Sequence, residues 1–243
     1  MRSKEKLNIY RDKDALAASL ARDIFSYLEL LTGTKEQVDI ALSGGNTPLL
    51  LYREMVILNP NIDWKKMRFF WVDDRCVPAD HPESNFGNAY LALLEPLKIP
   101  ETSYYRIQGE KVPEEEAERY GDLIQDLVSP EMSFPVFDLI LLGIGSDGHV
   151  ASIFPHQIEK WNEESLCTVG THPDSGQQRV SFTGHLINAA GKVIILATGK
   201  NKAGIIEEVV SRKGNYEHYP ASLVNPVNSD LEWYLDRDAA SQL

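Results

Sequence analysis

The chain has 243 residues, 43% hydrophobic and 25% charged, a balance that excludes a disordered or fibrous polymer and suits one α/β domain spanning residues 1–243. A formal net charge of −12 argues against nucleic acid and anionic lipid as partners, and no Lys/Arg-rich run offers a local exception. Cys76 and Cys167 fit neither a disulfide framework nor a C-x-x-C spacing, Met1 opens no signal-peptide pattern, and no apolar run approaches roughly 20 residues, so we expect a cytoplasmic protein without a membrane span.

Residues 7–10 read as a first strand. A helix follows from Asp14, with Leu16, Leu20, Ile24, Leu28 and Leu31 on one face and Gly33 as its stop. Residues 38–42 form a second, buried strand that ends in Ser43-Gly44-Gly45-Asn46-Thr47, and Pro48 suits the first turn of a helix reaching about Leu58. Residues 67–72 are a third strand, running into Asp73-Asp74-Arg75. Ser84 is placed to cap a helix through Tyr90 to Leu94. Pro113 opens another helix, with Glu114, Glu115 and Glu116 in its first turn as a solvated, dipole-matched face.

A continuous apolar strand at 137–142 leads into Gly143-Ile144-Gly145-Ser146-Asp147-Gly148-His149. Residues 158–178 are the least regular stretch, a flap or an insertion. Arg179 begins a strand. Residues 192–197 are a further strand, with a helix from about Asn201 to Val210, and 231–235 a late strand before a short helical tail. Strands alternating with helices imply a Rossmann-like α/β fold, a mostly parallel sheet with helices on both faces.

In such sheets ligands bind beyond the carboxyl ends of the strands, and three chemically loaded loops fall there. The Gly44-Gly45 turn opens a helix at Asn46 and Thr47, where close backbone approach and free N–H groups suit a phosphate or carboxylate; it is neither a Walker loop nor G-x-G-x-x-G. Asp73 and Asp74 are adjacent acids able to activate a group, bind a metal or cap a loop, and the fork of Arg75 suits a phosphate. The third loop sets Asp147 two residues from His149, with Gly148 between. A histidine there can serve as an acid or base and a neighbouring carboxylate can orient it. Metal ligands at short spacing are missing, G-x-S-x-G is missing, and the glycine pattern is wrong for a dinucleotide, so a histidine that activates water fits best. Arg179 and Lys202 are two further basic residues able to complete an anion site. His81, His156, His172, His185 and His218 lack comparable context.

Taken in order, Ser43-Gly44-Gly45, Asp73-Asp74-Arg75 with Val77-Pro78 and Asp80-His81, the 143–149 loop with Phe154-Pro155, Gln178-Arg179-Val180, the stretch from Ala197-Thr198-Gly199 to Lys202, Pro220-Ala221-Ser222-Leu223 and Trp233-Tyr234-Leu235-Asp236 resemble the 6-phosphogluconolactonases of the glucosamine-6-phosphate isomerase/6-phosphogluconolactonase family. The resemblance implies a hydrolase of 6-phospho-D-glucono-1,5-lactone in the pentose phosphate pathway, needing no cofactor or metal and acting on a small sugar phosphate as a monomer or weak homo-oligomer. It implies His149, Asp147 and Asp73 as catalytic residues. Gly44, Gly45, Asn46, Thr47, Arg75, Gly148, Arg179 and Lys202 become the binding set. Two positions depart from the family pattern: Asp74 stands where Glu is usual, and His156 where Gly or Asp is. The related glucosamine-6-phosphate deaminases continue the Asp-Gly-His core toward Phe-Asn-Glu-Pro. Here it runs Ala151-Ser152-Ile153-Phe154-Pro155, with Phe154 in place of the ring-opening acid. A deaminase-like isomerase and a non-catalytic sugar-phosphate sensor are the competing readings.

Overall fold

The computed structural model describes residues 4–59, 61–131 and 134–243. Among the described residues eleven strands run in chain order as β1 (Glu5–Tyr10), β2 (Val38–Leu42), β3 (Met67–Trp71), β4 (Asp73–Arg75), β5 (Pro130–Glu131), β6 (Phe134–Pro135), β7 (Leu139–Leu142), β8 (Cys167–Thr171), β9 (Gln178–Phe182), β10 (Val193–Ala197) and β11 (Leu231–Asp236). The α-helices are α1 (Lys13–Thr32), α2 (Asn46–Leu58), α3 (Asn85–Ala89), α4 (Pro113–Leu127), α5 (Gly184–Ala189) and α6 (Ala203–Ser211).

Six strands pair in the order β1-β11-β10-β7-β2-β3, every neighbour parallel. The chain passes from β1 through α1 to β2 and through α2 to β3. It then reverses, running from β3 to β7, β10 and β11. With right-handed crossovers, α1 and α2 lie on one face, and the connections carrying α4, α5 and α6 on the other. The order therefore switches direction between β2 and β7, which opens a crevice beyond their carboxyl ends.

Burial explains the elements. Leu16, Leu20, Ile24 and Leu28 are buried at four-residue steps along α1, and Asp12 caps it by accepting from the Ala15 N–H at 2.8 Å. Every residue of β2 is buried, as expected of a central parallel strand. That includes Asp39, which sits opposite Arg68 of β3 and takes both prongs of its guanidinium at 2.6 and 2.8 Å.

The chain leaves the parallel sheet at Val72, and Asp73–Arg75 becomes a strand in its own right. β4 pairs antiparallel with β9, and β9 with β8. Edge-to-face Phe70–Phe137 and tilted Phe137–Phe182 contacts, both with centroids 5.2 Å apart, tie this small sheet to the large one.

Several expectations change. The 158–178 stretch is not irregular: a 3₁₀ run (Pro155–Asn162) leads into β8, whose residues are hidden in sequence because two of five are threonine and one is glycine. The acidic first turn of α4 is not wholly solvated. Glu116 is buried, held by Arg119 at 2.6 and 2.7 Å and by the Gln108 N–H at 2.7 Å. The helix capped by Ser84 is α for only five residues before a π turn (Tyr90–Leu94), and the tail after β11 forms turns rather than a helix. The strand expected at Arg179 is β9, and α5 after it is a helix that periodicity does not mark, because it is under two turns long. Among the described residues no helix is long and apolar enough to cross a membrane.

Candidate functional site

At the β2/β7 crevice lies a cleft of about 400 Å³ walled by the loops after β2, β7 and β10 and by the small sheet. Of the residues singled out from sequence, Gly44, Gly45, Asn46, Thr47, Asp73, Arg75, His149, Arg179 and Lys202 all line it. Asp147 and Gly148 do not; Asp147 is bonded to His149 and Gly148 packs on Tyr219.

The β7 loop is built around its glycines. A Cβ on Gly145 would overlap both the Asp147 carboxylate and the His149 ring, so glycine there is what lets the two side chains meet. His149 Nδ1 and Asp147 Oδ1 are 2.6 Å apart. Burial works to raise the Asp147 pKa, but the hydrogen bond and charge of His149 outweigh it and hold the carboxyl at about 2. Gly148 has φ +83° and packs on Tyr219, so its role is to turn the chain rather than to relieve the pair itself. With Nδ1 engaged by Asp147, Nε2 is the nitrogen left for chemistry in the cleft. The imidazole rests on the buried Phe154 ring at 4.8 Å.

The small sheet brings two cations face to face. In its register Arg75 is directly opposite Arg179, an arrangement that repels unless an anion sits between or near them. Arg179 is buried, with its guanidinium 5.5 Å from the centre of Phe154. Burial lowers its pKa, with Asp73 opposing and Arg75 reinforcing. Its Nε, like that of Arg75, is buried without a hydrogen-bond partner. Arg75 donates from Nη1 to the Glu83 carbonyl at 2.6 Å. Lys202, on the β10 loop, has its pKa lowered by burial, opposed by Asp147. Among the described residues no carboxylate lies within ion-pair distance of Arg75, Arg179 or Lys202. On a chain of net charge −12, this is a focused positive site.

The N-terminus of α2 adds to it. Gly45, at φ +99°, is its cap and offers no side chain, so the first-turn N–H groups of Asn46 and Thr47 face the cleft uncapped. Thr47 and Thr198 hydroxyls meet at 2.8 Å, joining the β2 and β10 loops. Asp236 accepts from the Gly199 N–H at 3.0 and 3.1 Å and so fixes the turn that leads to Lys202.

The family model described as glucosamine-6-phosphate isomerases/6-phosphogluconolactonase matches residues 11–233. The chain belongs to this family. It is 44% identical over 207 residues to the 6-phosphogluconolactonase of Treponema pallidum, covering 85% of this chain and 84% of that one. To the Haemophilus influenzae 6-phosphogluconolactonase it is 38% identical over 227 residues, 92% and 94% of the two chains. Among solved structures, the 6-phosphogluconolactonase of Trypanosoma brucei superposes with a TM-score of 0.87 at 28% identity over 99% of each chain.

Within the family framework, the Asp73-Asp74-Arg75 triplet divides its work. Asp73 lines the cleft and accepts from the Ser152 hydroxyl at 2.6 Å. Asp74 turns inward. It accepts from the N–H groups of Arg75, Asn85 and Phe86 at 2.8, 2.6 and 2.9 Å and from the Ser84 hydroxyl at 3.2 Å, while burial pushes its pKa up to about 6. It thus anchors the start of α3. The other departure, His156, stands 5.9 Å from the Phe154 ring, and His172 5.4 Å, so both flank the aromatic floor rather than the cleft.

Sequence reasoning missed Ser43, Asn85, Thr198 and Asn201, which also line the cleft. Thr198 and Asn201 were within reach, since they share the loop of Lys202. Asn85 was not: it arrives from a helix whose only local signal is its Ser84 cap.

Proposed function

We propose that this chain, as one domain working in the cytoplasm, hydrolyses 6-phospho-D-glucono-1,5-lactone to 6-phosphogluconate. The observation that carries the reading is the His149–Asp147 pair facing Arg75, Arg179 and Lys202 across one cleft. A dianionic phosphate satisfies three cations that have no carboxylate partner and the free N–H groups of α2. A sugar anchored by that phosphate presents C1 to Nε2 of His149.

A 1,5-lactone is an activated ester, so the reaction needs a positioned water, a base and a place for the oxyanion. His149 Nε2 takes a proton from water as the oxygen bonds to C1. Asp147, ionised down to about pH 2, stabilises the imidazolium through Nδ1. The N–H groups of Gly143, Gly145, Gly148 and Gly199 are engaged within the protein, which leaves backbone N–H groups of the Gly44-Gly45 turn for the oxyanion. Collapse breaks the C1–O5 bond, and the proton on Nε2 passes to O5, freeing the open-chain acid. Phe154, buried beneath His149, leaves no acid at the position the deaminases use for ring opening.

The test is hydrolysis coupled to 6-phosphogluconate dehydrogenase, with spontaneous hydrolysis subtracted. His149→Ala is expected to lose about 10²–10⁴ in kcat with its fold intact. Wild-type turnover by that variant would overturn the assignment of the base, and no turnover by the parent chain would overturn the reaction.

A further inference from the structure

We infer that Asn85 selects the sugar: its side-chain Oδ1 accepts a hydrogen bond from a ring hydroxyl of the bound lactone. The inference rests on the lactone reading above and adds a residue whose contact no sequence motif announces.

Asn85 is the first residue of α3, 4% exposed, and it lines the cleft. Its Nδ2 donates to the Asp73 carbonyl at 3.0 Å and approaches Asp73 Oδ1 at 3.5 Å. Both partners are acceptors only, so the amide can turn just one way, with NH₂ toward Asp73 and Oδ1 away from it. That oxygen meets no donor of the protein. It sits against the β2 turn at Gly44, where a Cβ would overlap the carboxamide. Gly44 is therefore glycine for two reasons: approach to an anion, and room for this oxygen.

The acceptor is also held still. The Asn85 N–H is bound to Asp74 Oδ1 at 2.6 Å, and Asp74 fixes the residues on either side as well. A rigid acceptor that lines the cleft and has no protein donor is available to a ligand that supplies one. Arg75, Arg179, Lys202 and the α2 N–H groups only donate, and Asp73 is engaged by Ser152 and Asn85, so Asn85 Oδ1 is an acceptor of the cleft that is fixed in direction and has no protein donor. A polyol brings both acceptor and donor atoms. Its phosphate answers the donors, and a hydroxyl hydrogen answers Asn85.

A site built to hydrogen-bond a hydroxyl discriminates against the analogue that lacks it. The experiment compares kcat/KM for 6-phosphogluconolactone and for its 2-, 3- and 4-deoxy counterparts, using the intact chain and Asn85→Ala. The parent chain is expected to lose about 10- to 100-fold on one of the deoxy lactones. Asn85→Ala is expected to lose about as much on the full substrate, yet nothing further on that same deoxy lactone. A purely structural role for Asn85 would lower all four rates together and leave the discrimination in place. Equal rates of the parent chain on all four lactones, or unchanged discrimination in Asn85→Ala, would overturn the inference while leaving the lactonase reading standing. Failure of the parent chain to hydrolyse any of the four would instead overturn both.

Discussion

Replacing Asp147 with Asn keeps the shape of the pair and removes its charge. In the parent protein Nδ1 of His149 lies 2.6 Å from Asp147 Oδ1, so the charge centres are roughly 4 Å apart once the imidazole is protonated. Opposite charges at that distance attract by about 4 kcal/mol at an effective dielectric constant near 20, and by about 1 kcal/mol in water. The side chains are 25% and 41% exposed, so solvent screens the pair and about 1–3 kcal/mol is the fair range. This attraction exists only when the imidazolium has formed, during proton abstraction. Its loss therefore falls on kcat, by roughly 5- to 150-fold. KM should stay unchanged, because Asp147 does not line the cleft. The coupled lactone assay separates the two constants. If Asp147→Asn retains the parent kcat while His149→Ala does not, Asp147 is not the partner of the base.

Other outcomes follow from neighbouring parts of the structure. Arg179→Ala and Lys202→Ala should each raise KM by about 10- to 150-fold with a smaller change in kcat, since each removes a charged contact worth roughly 1.5–3 kcal/mol; an unchanged KM in the same assay excludes that residue from the phosphate site. Arg68→Ala strands the buried Asp39 carboxylate and should cost about 3–5 kcal/mol in urea unfolding, whereas a loss below about 1 kcal/mol would mean that water reaches Asp39. Asp74, raised by burial from 3.8 to about 6, keeps its proton in the folded state over a pH range where the unfolded chain has released it. Its contribution to stability therefore falls as pH rises from about 4 to about 6, by about 3 kcal/mol in all. Asp74→Asn cannot ionise and should lack that slope; parallel stability–pH profiles for the two proteins would refute the burial argument.

Much of the fold was legible because the inner strands of the central sheet are buried on both faces. β7 and β10 read as unbroken apolar runs and β2 as one interrupted only by Asp39, and the loops that follow them carry glycine where the backbone must turn or approach a ligand. The 143–149 loop was legible for the same reason: Asp147 and His149 are two residues apart, so their meeting needs only local turn geometry. Even there sequence does not show that Gly145, before the pair, is the glycine that lets the two side chains meet, because overlap with a Cβ is a fact of three-dimensional packing.

The small sheet was only partly legible: the strand at Arg179 was expected, β4 and β8 were not. β4 has three residues and its pairing with β9 spans about a hundred positions of chain, while β8, though near β9 in sequence, has polar and glycine positions among its five residues. Local patterning carries no trace of such contacts, so Arg75 and Arg179 could be named as basic residues but not as cross-strand neighbours. Sequence alone determined which residues can do the chemistry: a histidine with a carboxylate close by, three cations, and a glycine turn at a helix start. Tertiary structure decided that these face one cleft and that Asp73 faces it while Asp74 turns inward. It also decided that Asn85 joins them from α3. Those are matters of register and of which side of a chain points inward, and they are fixed only when the whole core packs.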